Sequence, residues 1–311
     1  MSQKTLLAVA GYLPLLRFDK KAARSELRWS GLGGAGKGLR SVAGWDEDAL
    51  TMAVEAARLV SADRAMRVTF ASTSAAFSDR SQAGILLDAL QLDRSVQALD
   101  SANSRRAATS ALIRAFDGNG DELVAAGEQR RAQPGSAQHL NWGDGAGAVL
   151  VGAGAGVARL LGSASLNADL LDIYTSVARG VPYAAEDRFV RDQAVAEIYT
   201  PTILRALAAA GVAAGDIALA VVPEPVGGTY RATAKACGLT ATNLCEEIDA
   251  KVGELGAAMP LMGLALALDR ARAGDRILLA GFGNGCDVLI FEATATGTGA
   301  TEAALGQGVI M

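Results

Sequence analysis

The chain repeats itself. Residues 111–127 read ALIRAFDGNGDELVAAG and residues 265–281 read ALALDRARAGDRILLAG. Each run is a helical stretch, a break at Gly and Asp, and a short apolar strand closing on Ala-Gly. The strands, 123–126 and 277–280, lead into Gly-rich turns and then into second strands, 148–151 after GDGAG and 288–291 after GFGNGC. Upstream the echo is fainter. A helical run at 49–60 before a strand at 67–71 answers one at 201–210 before a strand at 218–222. Helices ending in LQL (90–92) and CGL (237–239) follow, and segments 100–108 and 249–258 each read as a short strand entering a small-residue helix. A period of about half the 311 residues indicates duplication of a βαβ-type half, since solenoids repeat every roughly 20–50 residues.

Strands alternating with helices predict largely parallel sheets covered on both faces. Two such halves face to face predict an α/β body of five layers, α-β-α-β-α, with equivalent strand-to-helix turns meeting at a pseudo-dyad. A helix N-terminus there offers free N–H groups and a positive dipole end, a place for a nucleophile, an oxyanion or a thioester carbonyl. The halves are expected at 1–160 and 161–295, with the Gly/Ala/Thr-rich 296–311 a flexible tail. Composition agrees with layered packing: 50% of residues are hydrophobic, only 5% aromatic, and 36 are Gly, so elements can approach closely.

A net charge of -4 without a basic block speaks against nucleic-acid or anionic-membrane partners. No apolar run reaches the roughly 18 residues of a membrane span. Three cysteines, Cys237, Cys245 and Cys286, show no CxxC spacing, and His139 is the single histidine. A structural zinc site needs about four such ligands, so no metal centre and no permanently bound cofactor are expected. The odd cysteine count and the lack of a signal-peptide pattern point to a reducing cytoplasm.

Several segments carry a family resemblance. GYLPLLRF at 11–18, KGLRSVAGWDEDALTMAVEAAR at 37–58 and FASTSAAFSDRSQAGIL at 70–86 resemble the 3-hydroxy-3-methylglutaryl-CoA synthase-like branch of the thiolase superfamily. So do NSRRAATSALIRAF at 103–116, SAQHLNWGDGAGAVLVG at 136–152, VGELGAAMPLMGLALAL at 252–268 and DRILLAGFGNGCDVLIFE at 275–292. Ketoacyl synthase III enzymes are similar more distantly. The resemblance implies a thiolase fold, acyl groups carried on coenzyme A or a carrier, and a homodimer with edge strands paired across the two-fold and a mostly apolar interface that includes the 78–92 region and the central strands. It also implies a cysteine at a helix N-terminus, where a low thiolate pKa favours acyl transfer. Trp29 and Arg40 fall where related synthases surround the coenzyme A adenine.

The chain departs from that pattern at the chemistry. Arg105 stands at the acyl-accepting cysteine, Glu224 at the histidine, Glu254 at the asparagine, and Thr73 at the synthase's acidic residue. A guanidinium cannot replace a sulfur nucleophile. Ser104 next door is a conceivable nucleophile needing a base, or simply a helix cap. Arg105, Glu224 and Glu254 are expected to converge in a central cleft, Arg105 paired with at least one glutamate. They are either a neutralised relict site or an acid–base group acting on acyl-CoA. The corresponding functions are a subunit that does not condense alone, working beside a thiolase-type subunit and an OB-fold/zinc-ribbon protein supplied in trans, or a stand-alone acyl-CoA enzyme using carboxylates for retro-Claisen, aldol-type or direct acyl transfer.

Overall fold

The computed structural model describes residues 4–26, 37–170, 172–176 and 178–311. The first half opens with β1 (Lys4–Tyr12), β2 (Leu16–Asp19), α1 (Lys20–Glu26), β3 (Leu39–Val42) and α2 (Ala49–Arg58). It continues through β4 (Arg67–Ser72), α3 (Gln82–Ala89), β5 (Gln97–Ala102), α4 (Ala107–Asp117), β6 (Glu122–Glu128), α5 (Ala137–Asn141) and β7 (Gly145–Ala153). The second half begins with β8 (Ala158–Asn167), β9 (Ile173–Ser176), β10 (Arg179–Ala184), α6 (Asp187–Gln193), α7 (Thr200–Ala210) and β11 (Ile217–Val221). Then come α8 (Thr229–Cys237), β12 (Thr242–Asn243), α9 (Leu244–Val252), α10 (Met259–Arg270), β13 (Arg276–Phe282), β14 (Gly285–Ala293), α11 (Ala300–Gly306) and β15 (Val309–Ile310).

Ten strands form one sheet in the order β12-β11-β13-β14-β8-β1-β7-β6-β4-β5. Read outward from the β1–β8 seam, the two sides have the same order, so β6 and β13 are equivalent, as are β7 and β14. The seam is an antiparallel contact, Thr5 opposite Arg159 and Leu6 opposite Ala158. The sheet is mixed where a largely parallel one was expected. β4 runs parallel to β5 and β6, and β11 to β12 and β13, but β6–β7, β7–β1, β13–β14 and β14–β8 are antiparallel. For β13 and β14 the Gly-rich turn explains this. Gly283-Asn284 between β13 and β14 reverses the chain, with Asn284 at φ 51°, and a short reversal can make only an antiparallel neighbour.

Alternation along each strand builds the layers. On β6, Leu123 and Ala125 face a core with α2 and α3, while Val124 and Ala126 face the centre. On β13, Leu278 and Ala280 face a core with α7 and α8, while Ile277 and Leu279 face the same centre, filled by α4, α9 and α10. The result is α-β-α-β-α. Small residues keep the central layer tight: a Cβ at Gly263 of α10 would lie 2.3 Å from Val221 Cγ1 of β11.

Two expectations need correction. The 249–258 segment is the end of α9 and a 3-10 turn (Gly256–Ala258), so it does not match 100–108; the counterpart of β5 is β12, and α9 is an insertion. The 296–311 tail is not loose in this structure. Asp269 accepts N–H groups from Gly299, Thr301 and Glu302 at 2.8–3.0 Å, capping α11. Leu305 is buried, and β15 pairs in parallel with β2. The buried Arg17 guanidinium reaches the Ala304 carbonyl near the other end of α11. A capped helix with an apolar anchor offsets the ordering cost that composition alone suggested it could not.

Candidate functional site

The turn after β5 delivers Arg105 just before α4, the loop after β11 delivers Glu224, and the turn after α9 delivers Glu254. All three line one cavity, together with Pro223, Pro225, Gly256 and Phe282. Its volume is about 10 Å³, the space of roughly one water molecule. Tyr199, fully buried, backs the wall by stacking on Phe282 at 5.1 Å and donating its hydroxyl to the Pro223 carbonyl. None of the three cysteines is among the lining residues; all are buried, and burial pushes each thiol up, Cys245 and Cys286 well above the ordinary value.

The charges pair differently from the expectation. Arg105 forms its ion pair with Asp172, the residue before β9, and not with a glutamate. Glu254 is held instead by Arg130, which donates to its carboxylate and, at 2.7 Å, to its main-chain carbonyl. Gly256 N–H donates to Glu254 Oε1 at 2.8 Å. Burial alone would raise the Glu254 carboxyl, but Arg130 and then Arg105 hold it below its ordinary value. Burial alone would lower Arg105, yet Asp172 and Glu254 keep it raised. Arg130, Glu254, Arg105 and Asp172 thus alternate in sign and alternate between the halves.

Glu224 is differently engaged. Its carboxylate accepts the Thr229 N–H at 3.0 Å at the start of α8, the stabilising place for an anion on a helix. Burial, then Glu246, nevertheless raises its pKa. Ser104 donates to the Gly283 carbonyl at 2.9 Å and accepts from Arg106 N–H at 3.3 Å; no carboxylate or imidazole activates it there. Thr73 donates its N–H and hydroxyl to the fully buried Glu128, which also accepts from Ser74 at 2.6 Å and Ala257 N–H at 3.1 Å. Behind Glu254, the Asp249 carboxyl is pushed up to about 8 by burial and by Glu254 itself.

The cavity does not gather every candidate. Arg40 lies on β3 with its guanidinium 4.7 Å over the Phe18 ring, and its Nε is buried without a hydrogen-bond partner. Trp29 lies outside the described residues. His139 packs edge-on against Phe18. Sequence reasoning missed Asp172, Arg130 and Glu128. The last two had a legible signal, since they follow or end an all-buried strand at its carboxyl end, where α/β sheets collect their sites. Asp172 had none.

Sheet order, layer scheme and the cavity at the convergence of the two halves define a thiolase-fold protein, and comparison with known proteins agrees. The family described as 3-Oxoacyl-[acyl-carrier-protein (ACP)] synthase III C terminal matches residues 207–290. Hydroxymethylglutaryl-CoA synthase of Aeropyrum pernix is 29% identical over 259 residues, covering 79% of this chain and 72% of the relative. That of Pyrobaculum neutrophilum is 29% identical over 277 residues, covering 82% and 76%. A solved HMG-CoA synthase complexed with CoA superposes with TM-score 0.79 at 17% identity, over 100% of this chain and 88% of the other. The 3-oxoacyl-(acyl carrier protein) synthase III of Pseudomonas aeruginosa gives 0.76 at 22%, over 94% and 98%. The chain is a thiolase-fold protein, similar in sequence to hydroxymethylglutaryl-CoA synthases. Among the described residues no helix is long and apolar enough to cross a membrane, and no group of three His, Cys, Asp or Glu is placed to hold a metal.

Proposed function

We propose that the chain is a thiolase-fold, hydroxymethylglutaryl-CoA synthase-like subunit that does not perform cysteine-based condensation by itself. It works in an acyl-CoA thiolase or acyltransferase complex, beside a thiolase-type subunit and with an OB-fold/zinc-ribbon protein in trans. One observation carries this reading: the cavity where the strand–helix turns converge is lined by Arg105, Glu224 and Glu254 and has room for about one water, while Asp172 and Arg130 hold two of those charges. A thiol nucleophile is absent from that lining, and an acyl group has no space beside Arg105.

A solved relative is complexed with CoA, and an acyl-CoA is the ligand class we assign to this chain. Arg40, with its unpartnered buried Nε, and Trp29 are the residues proposed to meet the coenzyme A portion. The stand-alone carboxylate enzyme is supported by the raised Glu224 pKa, which suits a general acid. It is opposed by the use of that carboxylate as the cap of α8.

The test joins mass and activity. The purified chain, incubated with acetyl-CoA, is expected to show no acetyl adduct by intact mass and no thiol release alone. Native mass spectrometry with a co-expressed thiolase-type chain is expected to show a mixed assembly that releases thiol. Steady thiol release by the chain alone, lost in Glu224→Gln, would establish the carboxylate enzyme instead.

A further inference from the structure

We propose that the turn carrying Trp45 is a docking surface for a partner protein whose own face is apolar and rimmed by arginine or lysine. Trp45, between β3 and α2, is fully exposed, the most exposed of the large apolar side chains among the described residues. It does not stand alone. Leu16 pairs with Val42, three residues before Trp45, and the neighbouring Leu15 is exposed. β15 lies on the other side of β2, at the edge of the small three-stranded sheet, where Val309 N–H donates to the Leu15 carbonyl at 2.9 Å. Val309 and Ile310 are exposed as well. A single exposed apolar residue is ordinary, but several on one small sheet with a tryptophan at its margin mark a contact surface.

The turn is tied down on both sides of the indole, so little ordering is left to be done on binding. Gly44 N–H donates to the Glu47 carboxylate at 2.6 Å, and its carbonyl accepts the Glu47 N–H at 3.3 Å. Tyr12, at the end of β1, donates its hydroxyl to the same carboxylate. Asp48 caps α2, accepting the Leu50 and Thr51 N–H groups at 2.9 and 2.7 Å. Charge identifies the occupant. Asp46, Glu47 and Asp48 follow the indole directly, Asp46 is exposed, and among the described residues no lysine or arginine forms an ion pair with any of them. A partner arginine or lysine can stack on the ring and meet Asp46 at once. A second copy of the chain is a poorer occupant, because the β5 edge where copies are expected to pair lies four strands along the sheet from β1. Gln129 donates to the Glu47 carbonyl at 3.4 Å and precedes Arg130, which holds Glu254. A partner seated on Trp45 therefore stands at the cavity end of the sheet.

The inference rests on the reading of the chain as one subunit of an acyl-CoA assembly, and the thiolase-type chain is the probe. Its affinity for the full-length protein is measured by titration calorimetry. Trp45→Ala is expected to weaken binding by on the order of thirtyfold or more, with an unchanged thermal midpoint because the indole is fully exposed. Asp46→Lys is expected to weaken it too, and to flatten the loss of affinity between about 50 and 500 mM salt. Leu204→Ala, at an exposed position on α7, is expected to bind as wild type does. Wild-type affinity in Trp45→Ala, or an equal loss in Leu204→Ala, would overturn the docking surface and leave the subunit reading standing. Absence of binding by the wild-type protein would overturn both. Should Trp45→Ala not fold, Asp46→Lys decides: affinity and salt dependence equal to wild type would overturn the inference.

Discussion

At the residue scale, Arg105 is fixed by what it neutralises. Removing it leaves the largely buried Asp172 without its ion-pair partner and takes one of two cations from beside Glu254, which keeps Arg130. Arg105→Ala is therefore expected to lower unfolding free energy by about 3–5 kcal/mol, the range for breaking a buried pair, measured by urea denaturation. Asp249 gives a pH signature of the opposite kind. Its carboxyl rises from 3.8 to about 8 on folding, so the stability it contributes is present below 3.8 and lost as pH rises through about 8. Asp249→Asn should gain stability relative to wild type across that interval and level off above it. A constant difference from pH 4 to 9 would show that Asp249 is not the titrating group. The charged residues were legible because Arg105, Glu224 and Glu254 interrupt recognisable frames. Their pairing was not, since Asp172 and Arg130 reach them only through tertiary approach, 67 and 124 positions away in sequence.

At the scale of elements, α11 shows where composition misleads. TATGTGATEAALGQG reads as a loose tail because its residues are small and its charges few. Its anchors lie elsewhere in the chain, on α9 and α10. Arg270 bridges Glu302 of α11 and Glu247 of α9, and Lys251 adds to Glu247. The hydrogen bonds from Arg270 and then Lys251 bring the Glu247 carboxyl down from 4.5 to about 2. Its contribution is complete above 4.5 and disappears as pH falls through about 2. Thermal unfolding should therefore lose less stability between pH 4.5 and 2 in Glu247→Gln than in wild type. Equal slopes would remove the network from the account of α11 docking. The central strands, by contrast, were readable to within one to three residues of their observed ends, because 123–126 and 277–280 are unbroken apolar runs bounded by Gly and charge. Mixed strand direction was not readable, since β13–β14 reverses through a tight Gly-rich turn while β6–β7 reverses through a longer segment carrying α5.

At the scale of the whole molecule, β5 ends the ten-stranded sheet with one side unpaired, and Leu99 on it is 49% exposed. An open, unprotected edge invites another strand. A homodimer of the kind the resemblance implies would pair β5 with its copy about a two-fold axis and cover this edge, leaving the short β12 at the opposite one. Sedimentation should then give twice the 31.7 kDa chain mass, and Leu99→Lys should shift micromolar protein toward the single chain. A wild-type protein sedimenting at the single-chain mass would refute the pairing.

The alternation of charge between the halves has one more consequence. The first half supplies both arginines, Arg105 and Arg130, and the second supplies both carboxylates, Asp172 and Glu254. Each half alone would therefore carry an uncompensated pair of like charges at its inner surface, opposite in sign to those of its counterpart. The connection between β7 and β8 is short and partly exposed around residues 154–156. A polypeptide severed there would consist of two fragments with mutually attractive faces. Co-expressed, they should find one another and rebuild the ten-stranded sheet across the β1–β8 seam, faster at low ionic strength than at high, as a stopped-flow mixing experiment can record. Covalent continuity would then be a convenience of synthesis, and recognition between the two duplicated units would draw on the ion pairs that cross between them, with Arg106–Asp287 a third beside the two at the cavity.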